Sequence, residues 1–151
     1  MRRKEKEIKD QAEIEEILKT GMFCRVGLSD DGMPYIVPVC YGYENGALYF
    51  HCAKEGRKID VIRKNNNVCV EITKDTEIIK KESACNWGLK YKCVIGFGKA
   101  HIVEDEAEKR AGLSLIMQHY GSHAHEFNDS IKRTVVVKVV IESMAGKKAE
   151  H

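Results

Sequence analysis

Four side chains able to carry positive charge, His51, Lys54, Arg57 and Lys58, fall within positions 51–58 of the segment "YFHCAKEGRKIDVIRKNNNV" (49–68). The segment opens with strand-like alternation at Tyr49 and Phe50. After Glu55 it passes to a helical spacing carried by Ile59 and Ile62. The cations therefore gather where a strand hands over to a helix. A helix N-terminus presents unpaired N–H groups and about half a positive charge, so extra cations there cost energy unless an anion arrives. Phosphate suits such a turn because it accepts backbone N–H and forked guanidinium bonds together. Gly56 lets the backbone come close to its oxygens. A solvated helix face is the other reading of the same charges, and the residues alone leave both open.

A second set of residues bears on what the anion belongs to. Tyr41, Tyr43, Tyr49, Phe50, Trp87, Tyr91 and Phe97 crowd the strand-like runs. Most are read as core or barrel lining, and the remainder can flank a flat heterocycle. An aromatic ring with a phosphate tail describes flavin mononucleotide (FMN). The six cysteines (Cys24, Cys40, Cys52, Cys69, Cys85, Cys93) include no CxxC pair. Five sit in apolar runs and are read as reduced core residues, with no zinc site. Cys52 lies beside the basic turn, which would lower its thiol pKa, but nothing else supports a nucleophile and it is read as packing. His119, His123 and His125 in "QHYGSHAHEF" are read as a solvent-facing loop rather than a metal site, and His101 as facing out from a strand.

The elements that must position these residues follow from pattern. Gln11 to Thr20 spaces Ile14, Ile17 and Leu18 on one helical face and stops at Gly21. Strands are expected over Met22 to Leu28, Tyr35 to Tyr43 and Ala47 to Cys52, joined by the turns "SDDG" and "ENG". Pro34 and Pro38 mark an edge or an opening in the ladder. After the helix that begins past Glu55, Val68 to Thr73 is a fourth strand. Lys74 to Lys90 reads as polar and irregular. "YKCVIGFGKAHIV" is a fifth strand with a bulge or close approach at Gly96 and Gly98. "EDEAEKRAGLSLIMQHYG" is a helix, and "RTVVVKVVIESMAGKK" is the sixth strand. The expectation is one mainly β (α+β) domain over 1–151, a six-stranded antiparallel barrel with flanking helices, its ends 1–7 and 147–151 flexible.

Bulk numbers restrict the partners. With Lys plus Arg at 25 and Asp plus Glu at 23, the net charge is only +2, which gives no general pull toward nucleic acid or acidic membranes. No apolar run is long enough to span a bilayer and no signal peptide is evident, so a cytoplasmic protein is expected.

The run from "CRVGLSDDGMPYIVPVCYGYENGALYFHCAKEGRKIDVIRKNNNVCVEI" through "CNWGLKYKCVIGFGKAHIVED" resembles the pyridoxamine 5′-phosphate oxidase-related flavoproteins, nearest their nitroimidazole-resistance (Nim-like) branch. The resemblance covers roughly Glu7 to Lys147, on "GLSDDGMPYIVPV" and "FHCAKEGRK" with "N-x-x-V" downstream. It implies a Greek-key-like split β-barrel that dimerises and holds FMN at the subunit interface. It further implies that Val37, Pro38 and Val39 run along the flavin ring. His51, Ala53, Lys54, Gly56, Arg57 and Lys58 would hold ribityl and phosphate, helped by Arg25. His51 would also act catalytically, as a proton donor near the ring. The family's "C-x-W…Y" segment maps to Cys85, Trp87 and Tyr91, from a loop that closes the site. The arginine-rich C-terminal signature for pyridoxamine phosphate is missing from "IESMAGKKAEH". The function implied is an FMN-dependent oxidoreductase passing electrons from NAD(P)H or another donor to a small acceptor such as a nitroimidazole. The alternative is a flavin- or haem-binding sensor or storage protein without turnover.

Overall fold

The computed structural model describes residues 3–123 and 127–150. In chain order it contains β1 (Glu7–Ile8), α1 (Gln11–Thr20), β2 (Cys24–Asp30), β3 (Met33–Val39), β4 (Tyr41–Glu44), β5 (Ala47–Ala53), α2 (Arg57–Lys64), β6 (Asn67–Ile79), β7 (Gly88–Ile102), α3 (Glu106–His119) and β8 (Thr134–Ala149). The strands form one antiparallel sheet ordered β3-β2-β6-β7-β8-β5-β4, with β1 on β8. This is the expected split barrel, with eight strands where six were expected.

Part of the difference comes from Cys40. The expected strand Tyr35 to Tyr43 is broken there. β3 pairs with β2 at one end of the sheet order, and β4 pairs with β5 at the other. Tyr41 drives the break. It is fully buried, and its hydroxyl donates to Leu18 O at 2.7 Å, pulling the chain across the barrel toward α1. Pro34 and Pro38 lie on β3, which is an edge strand, as their missing N–H groups require.

Lys74 to Lys90 is irregular only in part, over 80–87. β6 continues to Ile79 and β7 begins at Gly88, so much of the segment is a paired arm. Opposite charges face each other at Glu77 and Lys90, and apolar residues at Ile78 and Leu89. A register shift between Lys74 and Glu77, with Asp75 at φ 54°, disguises the alternation.

The barrel interior collects Val26, Tyr41, Leu48, Phe50, Val70, Ile72, Val94 and Val139. α1 closes it with Ile14, Ile17 and Leu18, and α2 with Ile59, Val61 and Ile62. α3 packs on the outside of β5 and β8 through Leu113, Ile116 and Val136. The loop reading of the histidines holds in part. His119 ends α3 half-buried, with Nε2 2.6 Å from Gly21 O, whereas His123 is exposed and His125 lies outside the described residues. His101 is exposed on β7, as expected.

The close approach expected at Gly96 and Gly98 is present. The β7–β8 register shifts between Phe97 and Gly98, and a Cβ on Gly98 would overlap Val140 O and lie 2.9 Å from its carbonyl carbon. Backbone cannot yield as a side-chain tip does. Gly98→Ala should therefore lower unfolding stability by about 2 to 3 kcal/mol in urea titration. Gly27→Ala, with its nearest neighbour 3.4 Å away, is expected to cost less than about 1 kcal/mol.

Candidate functional site

α2 begins unlike the other two α-helices. Asp10 caps α1 by accepting from Ala12 N at 2.9 Å, and Asp105 caps α3 by accepting from Glu108 N at 2.8 Å. α2 has Gly56 at its cap, at φ 132°, and no side-chain cap bond. That backbone conformation is open to glycine and strained for other residues. The first N–H groups of α2 thus lack the carboxylate that satisfies its counterparts. The residues that follow Gly56 are Arg57 and Lys58.

A cavity of about 260 Å³ lies at this elbow. Cys52 and Ala53 supply one wall from the end of β5. Glu55, Gly56, Arg57, Lys58 and Ile59 supply the elbow itself, and Tyr35 reaches in from β3. Arg57 Nε donates to Asp30 Oδ2 at 3.2 Å, and its guanidinium stands 4.4 Å above the Tyr35 ring. Lys58 is half-buried with Nζ 5.7 Å from the Phe50 ring centroid. Lys54 is exposed beside them.

Two larger cavities are less suited to an anion. One of about 370 Å³ lies at the opposite end of α2, between Arg63, Lys64, His101 and Glu104. It mixes charges and faces helix C-terminal carbonyls, which repel anions. The other, about 380 Å³, is mostly apolar and lies between Ile95, Phe97, Met144 and Ala145 on the outer face of β7 and β8.

The structure brings Ala53, Gly56, Arg57 and Lys58 together, with Lys54 in the same turn. The other expected residues stand elsewhere in the single chain. His51 is exposed on β5, opposite Val136, while its neighbours Phe50 and Cys52 turn inward. Arg25 is paired with Glu71 at 2.8 Å and lies over Phe23. In the β2–β3 register it is opposite Pro38, which is exposed; Val37 is half-buried and the Val39 side chain is buried. Trp87 is 52% exposed beyond β6, its Nε1 donating to Lys81 O at 2.8 Å. Tyr91 is half-buried on β7 beneath Lys147 Nζ at 5.6 Å. Asp30 and Tyr35 were missed as site residues, since only the tertiary approach of the β2–β3 hairpin to α2 brings them in. Among the described residues no group of three His, Cys, Asp or Glu is placed to hold a metal ion.

The cysteines divide more than expected. Cys24 and Cys93 are buried, Cys52 and Cys69 half-buried, and Cys40 and Cys85 exposed, so Cys40 marks the strand break rather than the core. For Cys52, burial raises the thiol pKa and outweighs the opposing pull of Lys58. This corrects the expectation that the basic turn lowers it, and leaves the packing role standing.

A family model for pyridoxamine 5′-phosphate oxidase matches residues 10–148. No curated protein matches the chain significantly. Among solved structures, a candidate 5-nitroimidazole antibiotic resistance protein from Bacteroides thetaiotaomicron is 35% identical, with TM-score 0.84, over 94% of this chain and 86% of that one. A flavocytochrome from Azotobacter vinelandii has TM-score 0.84 at 20% identity, over 100% and 72%. An FAD-binding protein from Mesorhizobium loti has TM-score 0.70 at 23% identity, over 93% and 96%. The last two are similar in fold. No helix among the described residues is long and apolar enough to cross a membrane.

At pH 8 Cys52 should be alkylated by iodoacetamide more slowly than Cys40 and Cys85, because its thiolate is disfavoured and its access restricted. Peptide mapping of a time course reads the order directly.

Proposed function

We propose, for a chain that belongs to the pyridoxamine 5′-phosphate oxidase family, the function of a flavin-binding oxidoreductase that holds FMN by its phosphate at the α2 elbow. The observation that carries the reading is the helix start. α2 has uncapped N–H groups, a glycine at φ 132° and two lining cations, where α1 and α3 have aspartates. These residues fit a phosphate ester. Backbone N–H groups and Lys58 supply charge-assisted bonds, Arg57 offers a forked donor, and Gly56 leaves the approach open. Bound flavin supplies the redox chemistry, accepting electrons from NAD(P)H or another donor and passing them to a small acceptor such as a nitroaromatic.

The remaining roles fall to residues not gathered by one chain, and a homodimer accounts for this. Ile36, Gly27, Cys69, Phe97 and Ser143 align in one row across β3, β2, β6, β7 and β8. Ile36 is 64% and Phe97 57% exposed, with Ile95 beside them at 39%. An apolar face of this kind on a sheet suits a second copy. In that assembly Val37, Pro38 and Val39 flank the flavin ring by backbone, Arg25 adds positive charge, and Trp87 and Tyr91 close the site. His51 is the proton donor. The compartment proposed is the cytoplasm.

Binding without turnover is the second reading, and the C-terminal strand favours it. β8 contains no arginine, so it lacks the family's arginine-rich means of gripping pyridoxamine phosphate. Mixing the FMN-loaded chain with NADH and a 5-nitroimidazole separates the readings: NADH loss supports an enzyme, and none supports a binding protein.

Fluorescence titration with FMN tests the site itself. Lys58→Ala should weaken binding by about 1.5 to 3 kcal/mol, roughly tenfold or more; unchanged affinity would sink the phosphate assignment. For the assembly, Phe97→Asp should shift the chain to a monomer in light scattering, while a wild-type monomer contradicts the dimer.

A further inference from the structure

Arg57 is held from two sides before any ligand arrives. Its Nε donates to Asp30 Oδ2 at 3.2 Å, and its guanidinium face lies 4.4 Å over the Tyr35 ring. Among the described residues no other hydrogen bond from Arg57 is recorded, so its terminal amino groups remain for a second acceptor. Both supports come from the β2–β3 hairpin. Asp30 pairs with Met33 at its tip, and Tyr35 pairs with Leu28. The hairpin is itself anchored to the far end of α2, where Asn65 Nδ2 donates to Ser29 O at 3.4 Å. Tyr35 and Arg57 line the same cavity. A free arginine gives up rotamer entropy when it grips an anion, and one already braced gives up less.

We propose that Asp30 and Tyr35 are positioning residues that present the terminal edge of Arg57 to a phosphomonoester in this cavity. The proposal rests on the flavin reading above and adds what selects the phosphate. Asp30 has two opposed effects on a bound anion: its carboxylate repels, and its hydrogen bond orients the guanidinium. Bracing is the stronger. The carboxylate is already neutralised by the guanidinium it touches, which offsets its repulsion of a bound anion.

Two substitutions separate these effects. Asp30→Asn removes the charge and keeps an oxygen acceptor, whereas Asp30→Ala removes both. The full chain is titrated with FMN and with riboflavin, which lacks the phosphate, and each variant's thermal midpoint is recorded. Asp30→Ala should loosen FMN by about tenfold, as losing one charge-assisted contact predicts. Asp30→Asn should stay within about threefold of wild type, and Tyr35→Leu should loosen FMN by about threefold. Riboflavin affinity should be unchanged in all three. In an Arg57→Ala background Asp30→Ala should cause no further loss, since the brace then holds nothing and only the carboxylate's repulsion is left to remove. FMN binding to Asp30→Ala as tight as wild type or tighter overturns the proposal. So does an equal loss for riboflavin, or a loss that persists without Arg57. A wild-type chain that binds no FMN defeats the flavin reading instead. The brace is then read with inorganic phosphate, whose binding must still fall in Asp30→Ala, and a chain that binds neither overturns both.

Discussion

The buried Tyr41 hydroxyl is the contact on which the barrel's geometry depends. It donates to Leu18 O at the end of α1, its backbone N–H is satisfied by Tyr120 OH at 3.3 Å, and its ring packs 4.3 Å from His119. Three elements distant in sequence thus converge on one residue. Burial raises the Tyr41 hydroxyl pKa, so it stays a neutral donor. The chain crosses from the β3 edge to the β4 edge at this residue, and the crossing turns a meander into a split barrel. At the end of α3, Tyr120 OH donates to Met22 O at 2.7 Å and His119 Nε2 donates to Gly21 O at 2.6 Å, which strengthens the junction. Gly21 has no room for a side chain there, since a Cβ would meet Ile72 and lie 2.8 Å from the Tyr41 hydroxyl.

From that junction the rest of the site follows. Because β3 is an edge, its residues are free to approach α2 rather than another strand. The β2–β3 hairpin therefore delivers Asp30 and Tyr35 to the elbow that closes β5. The elbow owes its place to β5, which lies between β8 and β4 with Phe50 buried beneath Lys58.

Local signals were legible, and tertiary ones were not. All three α-helices could be read because their apolar spacing is regular and acids or glycine bound them. The turns at Asp31–Gly32 and Asn45–Gly46 were readable because each places both residues at positive φ, which those residue types favour. The break at Cys40 has only Pro38 as a local mark, and that proline fits an edge as well as an opening; Tyr, Val and Cys on either side are ordinary strand residues, and the chain turns where Tyr41 reaches a carbonyl on α1. The β6–β7 arm was hidden by one register shift that put Glu77 and Lys90 out of visible phase. At the site, the cations were visible as a run along the chain. Asp30 and Tyr35 were not, since an aspartate in a turn and a tyrosine in a strand are unremarkable until the fold sets them against Arg57.

The elbow's charge has a physical logic that a surface reading lacks. Cations in the first turn of a helix oppose the macrodipole, each by roughly 0.3 to 1 kcal/mol at low salt. Ordinary surfaces avoid this arrangement, and α1 and α3 do so with Asp10 and Asp105. In α2 the opposition is only partly relieved, with Asp60 in the first turn but no side chain capping the helix. Arg57 is offset by Asp30 and the Tyr35 face, and Lys58 by the Phe50 face. Neither arrangement satisfies the helix N–H groups themselves. An anion that enters the cavity meets the unspent dipole, the uncapped N–H groups and two cations whose positions are already set. On the proposed reading, a bound phosphate would relieve the repulsion between the first-turn cations and the helix dipole, so the missing side-chain cap would contribute to binding.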